Sequence, residues 1–395
     1  MKKNILILSV LIITAFSQSL FGQDEAAITP SETYHIAIFA PLYLDSVFTN
    51  GQLNSDNSIP KFIVPAVEFV QGAHIALDTL IINGKSAEAS IYDSKSYHQP
   101  LSWLIKYKKL DNVNLIIGSV KDPDYRELAD FASEKHIPFV SATYPNDGGI
   151  LANPFLVIVN STLKANCEGI FSYLLQKHGT DKIYIVKKKG DDRIENYLRS
   201  INSEEGKPLL NIKTIMVDST ISTYSLMNRI DTLHTSVIIG ATLDEDIAKS
   251  LADASYPIQK KHSLVLIGMP NWEGFRSLYK KDAYPDFPIR YTTPYYDAKN
   301  TTADSILIKK YFQLYRTKPS DMAYKGFGVT LYFTSLLLEF PGEIMSHLND
   351  SALSAFHNYN FRPVYIEKQN KTPDYYENKH LFIMEILNGD VVREW

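Results

Sequence analysis

The chain has 395 residues, of which 45% are apolar, 21% charged and 12% aromatic. That is a globular composition, which excludes a disordered or fibrous chain and has room for two domains or one bilobed protein. Forty Lys and Arg against 44 Asp and Glu give a net charge of −4, so no bulk positive charge is available to hold nucleic acid through its phosphates. The single cysteine, Cys167, excludes an internal disulfide framework and a cysteine-rich zinc site.

Lys2 and Lys3 open the chain, followed by an apolar run over 5–16 and an exit of small and polar residues that includes Ser17, Ser19 and Gly22. The run is too short to span a bilayer, so the pattern predicts a secretory signal peptide over 1–23. No cysteine lies near the exit to take a lipid. The mature protein is expected to be periplasmic or extracellular and not a lipoprotein, with no membrane insertion after cleavage. Loss of Lys2 and Lys3 takes its net charge to about −6.

From His35 onward, short runs rich in Ile and Val alternate with helical stretches. The runs lie at 36–39, 89–92, 113–117, 138–140, 155–159, 183–186, 212–217, 237–239 and 264–267. Each is apolar on successive residues, as in strands buried on both faces of a parallel sheet. Over 65–80, Ala66, Phe69, Val70, Ala73, Leu77 and Leu80 follow helical spacing, and Pro65 suits a first turn. Segments 124–136, 163–178, 191–201, 222–234 and 244–254 read as helices in the same way. Strand–helix–strand repetition predicts right-handed crossovers with helices on both sheet faces. So many strands exceed one doubly wound domain, and no Pro/Gly/Ser linker halves the chain. The expected fold class is α/β, with two doubly wound parallel-sheet lobes joined by a multi-crossing hinge.

After 289 the pattern changes. Segment 290–296 reads as a strand entering a loop, and 303–315 and 322–340 as helices, the second strongly apolar. The tail reads as a short strand in 361–368, a turn-rich 370–378, and a hairpin of 380–387 with 391–395 around Asn388-Gly389-Asp390.

Motifs for chemistry are missing. There is no His-Glu-x-x-His, no Gly-x-Ser-x-Gly and no EF-hand loop. Gly84-Lys85-Ser86 echoes the end of a phosphate loop, but Thr79 stands where that loop needs its first glycine. The histidines are scattered, and Cys167 falls within a helical stretch as a small core residue. No enzyme activity, cofactor or metal is expected.

Several stretches, taken in order, resemble a known family. They are Ile36-Ala37-Ile38-Phe39-Ala40-Pro41-Leu42, the segment from Phe69 to Asp78, Ile91-Tyr92-Asp93, Leu115-Ile116-Ile117-Gly118-Ser119, and the segment from His136 to Thr143. Segment 309–319 and Tyr324-Lys325-Gly326-Phe327-Gly328-Val329 continue the likeness. Together they resemble type 1 periplasmic ligand-binding proteins of the branched-chain amino-acid-binding kind, in the form found in Bacteroidetes-like bacteria. The resemblance spans roughly 35–340 and implies two lobes that close on a ligand like a flytrap. The expected boundaries are 33–157 with 289–342 for the first lobe, and 158–288 with 343–395 for the second.

Ligands of open α/β sheets sit beyond the carboxyl ends of strands. In the first lobe the loops there carry Tyr43, Asp93, Ser119, Val120, Ser141, Ala142, Thr143 and Tyr144. The resemblance implies that two such loops grip a ligand carboxylate through hydroxyls and backbone N–H groups, with Thr143 as a donor. One departure stands out: Asp122 occupies a position where the family often has serine, and a carboxylate there opposes an anion. Equally, Ser119, Ser141 and Thr143 read as turn and cap residues. In the second lobe the candidates are Asp191, Thr242, Asn271 and Trp272, with Tyr296 near the last crossing. Asp191 also reads as a helix cap, and Trp272 reads either as a ring stacked on a ligand or as lobe packing.

The resemblance thus implies an extracytoplasmic solute-binding protein for a small polar, amino-acid-like ligand, serving uptake or sensing with a membrane permease or sensor as partner. The alternative is a protein-interaction module on the same fold, related to cell-envelope or peptidoglycan synthesis. The sequence does not fix the oligomeric state.

Overall fold

The structure is a computed structural model that describes residues 33–54, 58–82, 84, 87–203, 206–367 and 369–395. The expected signal peptide lies outside the described residues. Alternating runs become strands as the apolar pattern dictates. β1 (His35–Ala40), β2 (Glu88–Asp93), β3 (Leu115–Gly118), β4 (Phe139–Ser141) and β5 (Leu156–Ile158) are parallel, in the spatial order β2-β1-β3-β4-β5. β6 (Lys182–Lys188), β7 (Ile212–Val217), β8 (Ser236–Gly240), β9 (Leu264–Ile267) and β10 (Ile289–Thr293) repeat that order as β7-β6-β8-β9-β10. Both are doubly wound orders whose switch points fall between β1 and β3 and between β6 and β8.

The tail is divided between the sheets. β11 (Phe361–Val364) pairs antiparallel with β12 (Tyr375–Asn378), and β12 lies parallel to β5. β13 (Phe382–Leu387) pairs antiparallel with β10, and β14 (Asp390–Arg393) with β13. The β13–β14 turn has positive φ at both Asn388 and Gly389, as a tight hairpin requires. Each sheet therefore has seven strands.

The sheets correct three expectations. Ile289–Thr293, expected in the first lobe, belongs to the second sheet, because β9 and β13 cover both its edges. Phe361–Val364 and Tyr375–Asn378, expected in the second lobe, complete the first sheet. The turn-rich 370–378 ends in a strand because Tyr375 and Glu377 alternate inward, where both are buried. The chain consequently crosses between lobes three times, at 159–162, 294–301 and 379–381.

Helices cover both faces. In the first lobe these are α1 (Val64–Ile82), α2 (Leu101–Lys106) and α3 (Asp124–Lys135). The second lobe carries α4 (Leu163–Lys177), α5 (Arg193–Asn202), α6 (Thr223–Met227) and α7 (Glu245–Gln259). α6 is shorter than the stretch over 222–234 suggested, since Asp231 takes the backbone N–H groups of Leu233 and His234 into a turn. α8 (Thr302–Tyr315) and α9 (Asp321–Glu339) return to the first lobe. Side-chain caps start several helices: Thr162 on α4, Asp244 on α7, Thr301 with Asp304 as a capping box on α8, and Ser320 on α9.

α1 and α9 lie on one face of the first sheet, where Phe69, Ala73, Val329 and Phe333 bury against Ile36, Ile38, Leu115 and Ile117. Two glycines let their backbones touch. A Cβ on Gly72 would fall 2.0 Å from the Ala323 carbonyl oxygen, and one on Gly326 would fall 2.0 Å from that of Phe69. This close crossing fixes the first turns of α9.

Candidate ligand-binding cleft

Loops beyond the strand ends of both lobes meet around two cavities. The smaller, about 460 Å³, is lined by Asn146, Asp147 and Tyr375 of the first lobe and by Arg193, Tyr197 and Asn271 of the second. The larger, about 820 Å³, lies between Asp321, Tyr324 and Lys325 of α9 and Glu273, Arg276 and Tyr279 of the second lobe. Crossing residues Tyr295 and Tyr296 form part of its wall. Glu273, Thr293, Tyr295 and Lys325 line both cavities, so the two adjoin.

Tyr295 is the pivot of this junction. Its hydroxyl donates to the Ala142 carbonyl of the first lobe, and its backbone N–H donates to Thr293 Oγ1 at 3.3 Å. The Lys325 ammonium sits 4.3 Å from the centre of the Tyr295 ring, a cation–π contact that strengthens where water is scarce. Burial holds the Tyr295 phenol well above its ordinary pKa, so it remains a neutral donor. Glu273 keeps surface open to the cavity but is enclosed by both lobes. Burial raises its pKa, and the Lys325 charge pulls the other way.

Acid–base character continues along the larger cavity. Burial, helped by the neighbouring Asp304 carboxyl, pushes Asp297 up to about 6, against the pull of the Lys299 backbone N–H. Burial and the nearby His380 push His357 down to about 4, so the ring is neutral near neutral pH. Among the described residues no group of three or more His, Cys, Asp or Glu is placed to hold a metal ion. No helix among them is long and apolar enough to cross a membrane.

The cavities take in Asn271 and Tyr296 from the sequence candidates. The others do their work elsewhere. Asp93 accepts the backbone N–H groups of Leu42, Tyr43 and Leu44, which starts the helical turn at Leu44–Val47. Tyr43 sits in that turn against Phe62. Ser119 and Thr143 hydrogen-bond each other at 3.0 Å, and Asn160 Nδ2 donates to the Thr143 carbonyl. Ser141, Ala142 and Val120 are buried in the first lobe, and Tyr144 packs edge-on to Tyr125. Asp191 does not cap α5; that place belongs to Asp192, whose carboxylate instead pairs with Lys187.

Trp272 is lobe packing. It is fully buried, and its indole N–H donates to the Thr242 carbonyl at 3.0 Å. A Cβ on Gly268 would fall 2.0 Å from the indole, and one on Gly240 2.5 Å from it. These glycines make the slot that holds the ring. Thr242 is buried beneath it, with its hydroxyl accepting the Asp244 N–H.

Sequence reasoning missed Glu273, Lys325 and most of the tyrosines. Lys325 sits within Tyr324-Lys325-Gly326-Phe327-Gly328-Val329, whose aromatic, Gly-rich pattern reads as a packing helix. Only the α1–α9 crossing turns its first turns toward the second lobe.

Comparison with solved structures fits this architecture. A Rhodospirillum rubrum protein assigned as a branched-chain amino acid ABC transporter superposes with a TM-score of 0.64 at 12% identity, over 92% of this chain and 100% of its own. An ABC transporter substrate-binding protein from Desulfitobacterium hafniense, complexed with Leu, gives 0.55 at 11% identity, over 92% and 100%. A branched-chain amino acid ABC transporter periplasmic ligand-binding protein from Burkholderia xenovorans gives 0.54 at 12% identity, over 88% and 95%. No family model matches the chain, and no curated protein matches it. The chain therefore has the two-lobed α/β fold of type 1 periplasmic binding proteins.

Proposed function

We propose, from the fold shared with these substrate-binding proteins, that the protein captures a small molecule reversibly in the cleft, without chemistry, for uptake or sensing outside the cytoplasm. One observation carries this reading: both lobes and the crossing at 294–301 supply side chains to one pair of adjoining cavities. A ligand there touches both lobes at once, so binding favours the closed arrangement of a hinged pair. A membrane permease or sensor would then read the closed form.

A second reading has its own support. Leu44, Phe48, Ile59 and Phe62, between β1 and α1, are exposed apolar side chains. Such a group suits a protein-interaction module.

Thermal unfolding in the presence of amino acids, peptides, sugars, nucleosides and carboxylates tests the first reading. A ligand at about 100 times its dissociation constant stabilises by roughly 2.7 kcal/mol, a clear rise in melting temperature. The radius of gyration from small-angle X-ray scattering should fall with the same ligand. If no compound raises the melting temperature of protein stripped by unfolding and refolding, the capture reading fails and the interaction module takes its place.

A further inference from the structure

We propose that the adjoining cavities bind a short peptide with free termini rather than a single amino acid, an inference that rests on the capture role proposed above. Size is the first argument. At about 820 Å³, the larger cavity alone has the volume of sites that enclose drug-sized ligands. A free amino acid would leave most of it filled with water.

Charge is the second. Asp321, Arg276 and Lys299 line the larger cavity; Asp147, Lys164 and Arg193 line the smaller. Among the described residues none of them has an oppositely charged side chain within 4.0 Å. Apart from half-buried Asp147 they are solvent-exposed, so they offer charge-assisted contacts to a ligand of opposite charge and steer its approach. Both signs occur in each cavity, which suits a ligand whose opposite charges are set well apart. A simple anion, a simple cation or a neutral sugar would leave one set unmet.

The walls supply the third argument. Tyr279, Tyr296, Tyr324 and Tyr359 offer rigid rings with polar tips, which contact mixed polar and apolar chain at little entropic cost. In the smaller cavity Asn146, Asn160 and Asn271 present side-chain amides. Such amides can both donate to and accept from a peptide group. Asn271 Nδ2 donates to the Leu243 carbonyl, and its Oδ1 is buried with no hydrogen-bond partner. Finally, the hydroxyls expected to grip an amino-acid carboxylate, Ser119 and Thr143, are bonded to each other.

Calorimetric titration of the stripped protein with pooled tri- to pentapeptides tests this. The same pools, N-acetylated and C-amidated, and the twenty free amino acids and a set of oligosaccharides serve as comparisons. The expected result is saturable binding of the free peptides, at least about tenfold weaker for the capped pools, as loss of charge-assisted hydrogen bonds predicts. Lys325→Gln and Asp321→Asn should each weaken binding of the free peptides by a similar factor, with melting temperatures checked to show that both variants fold. Equal binding of free and capped peptides would overturn the charge argument. Tighter binding of a free amino acid or an oligosaccharide would overturn the peptide assignment but leave the capture role standing. No binding by any probe would overturn both.

Discussion

At the scale of single residues, burial decides what each polar or aromatic group does. Trp272 carries the features of a ligand-stacking ring in sequence, yet the slot between Gly240 and Gly268 makes it core. Trp272→Ala should therefore cost about 3–5 kcal/mol, as expected for a buried aromatic. Urea unfolding would measure this, and ligand affinity well below the melting temperature should be little changed. Asp297 behaves differently. Its folded pKa of about 6 lies above the ordinary 3.8, so the folded state holds the proton more tightly than the unfolded chain. The stability this contributes is complete below about pH 4 and is lost as pH rises through about 6. Asp297→Asn should flatten the melting temperature between those pH values; an unchanged profile would remove Asp297 from the account. The same local logic explains the expected hydroxyls. Serine and threonine near strand ends are as useful to turns as to ligands, and only neighbours distinguish the two uses.

Elements bring in packing constraints that residue types alone do not reveal. The α1–α9 crossing depends on Gly72 and Gly326, each facing backbone of the other helix. Gly326→Ala should force the helices apart and destabilise by about 1–3 kcal/mol, whereas Gly274→Ala, with open space around it, should stay near neutral. A comparison of melting temperatures separates the two. The shift would also move Lys325, one residue before Gly326, so ligand affinity should fall for Gly326→Ala even at temperatures where it is folded. At the third crossing, Lys379 bridges Glu377 of β12 and Glu168 of α4 at 2.6 and 2.8 Å. Glu377 also accepts the Thr162 N–H at the start of α4. Lys379→Ala strands a buried carboxylate and should cost about 3–5 kcal/mol, seen as a lower midpoint in urea.

On the scale of the whole molecule, three crossings and a tail shared between two sheets tie the lobes into one structure. Each sheet depends on strands that arrive from far along the chain, β12 beside β5 and β13 beside β10. Unfolding of the lobes should therefore be coupled. Urea denaturation followed by far-ultraviolet circular dichroism and by tryptophan fluorescence should give coincident transitions; two separated transitions would mean that the lobes are independent. The cleft itself exists only at this scale. Its walls draw on 145–147, 160–164, 193–197, 270–279, 293–299, 321–329, 356–359 and Tyr375, among others.

What the sequence determined by itself was the alternation of buried strands and amphipathic helices, because burial on both faces leaves a continuous apolar run and burial on one face leaves a helical period. That was enough for two doubly wound lobes, and particular stretches such as 36–42, 69–78 and 136–143 carried the resemblance to a known fold. The tail and the site were decided by tertiary structure. A four-residue strand such as Tyr375–Asn378 has too little pattern to announce its partner, and β5 supplies the pairing that makes it a strand. The cleft residues come from segments spread between 145 and 391, and nothing in the neighbours of Glu273 marks it as facing Lys325. Their nearness follows from helix packing and chain crossings, which bring distant residues together by geometry rather than by sequence pattern.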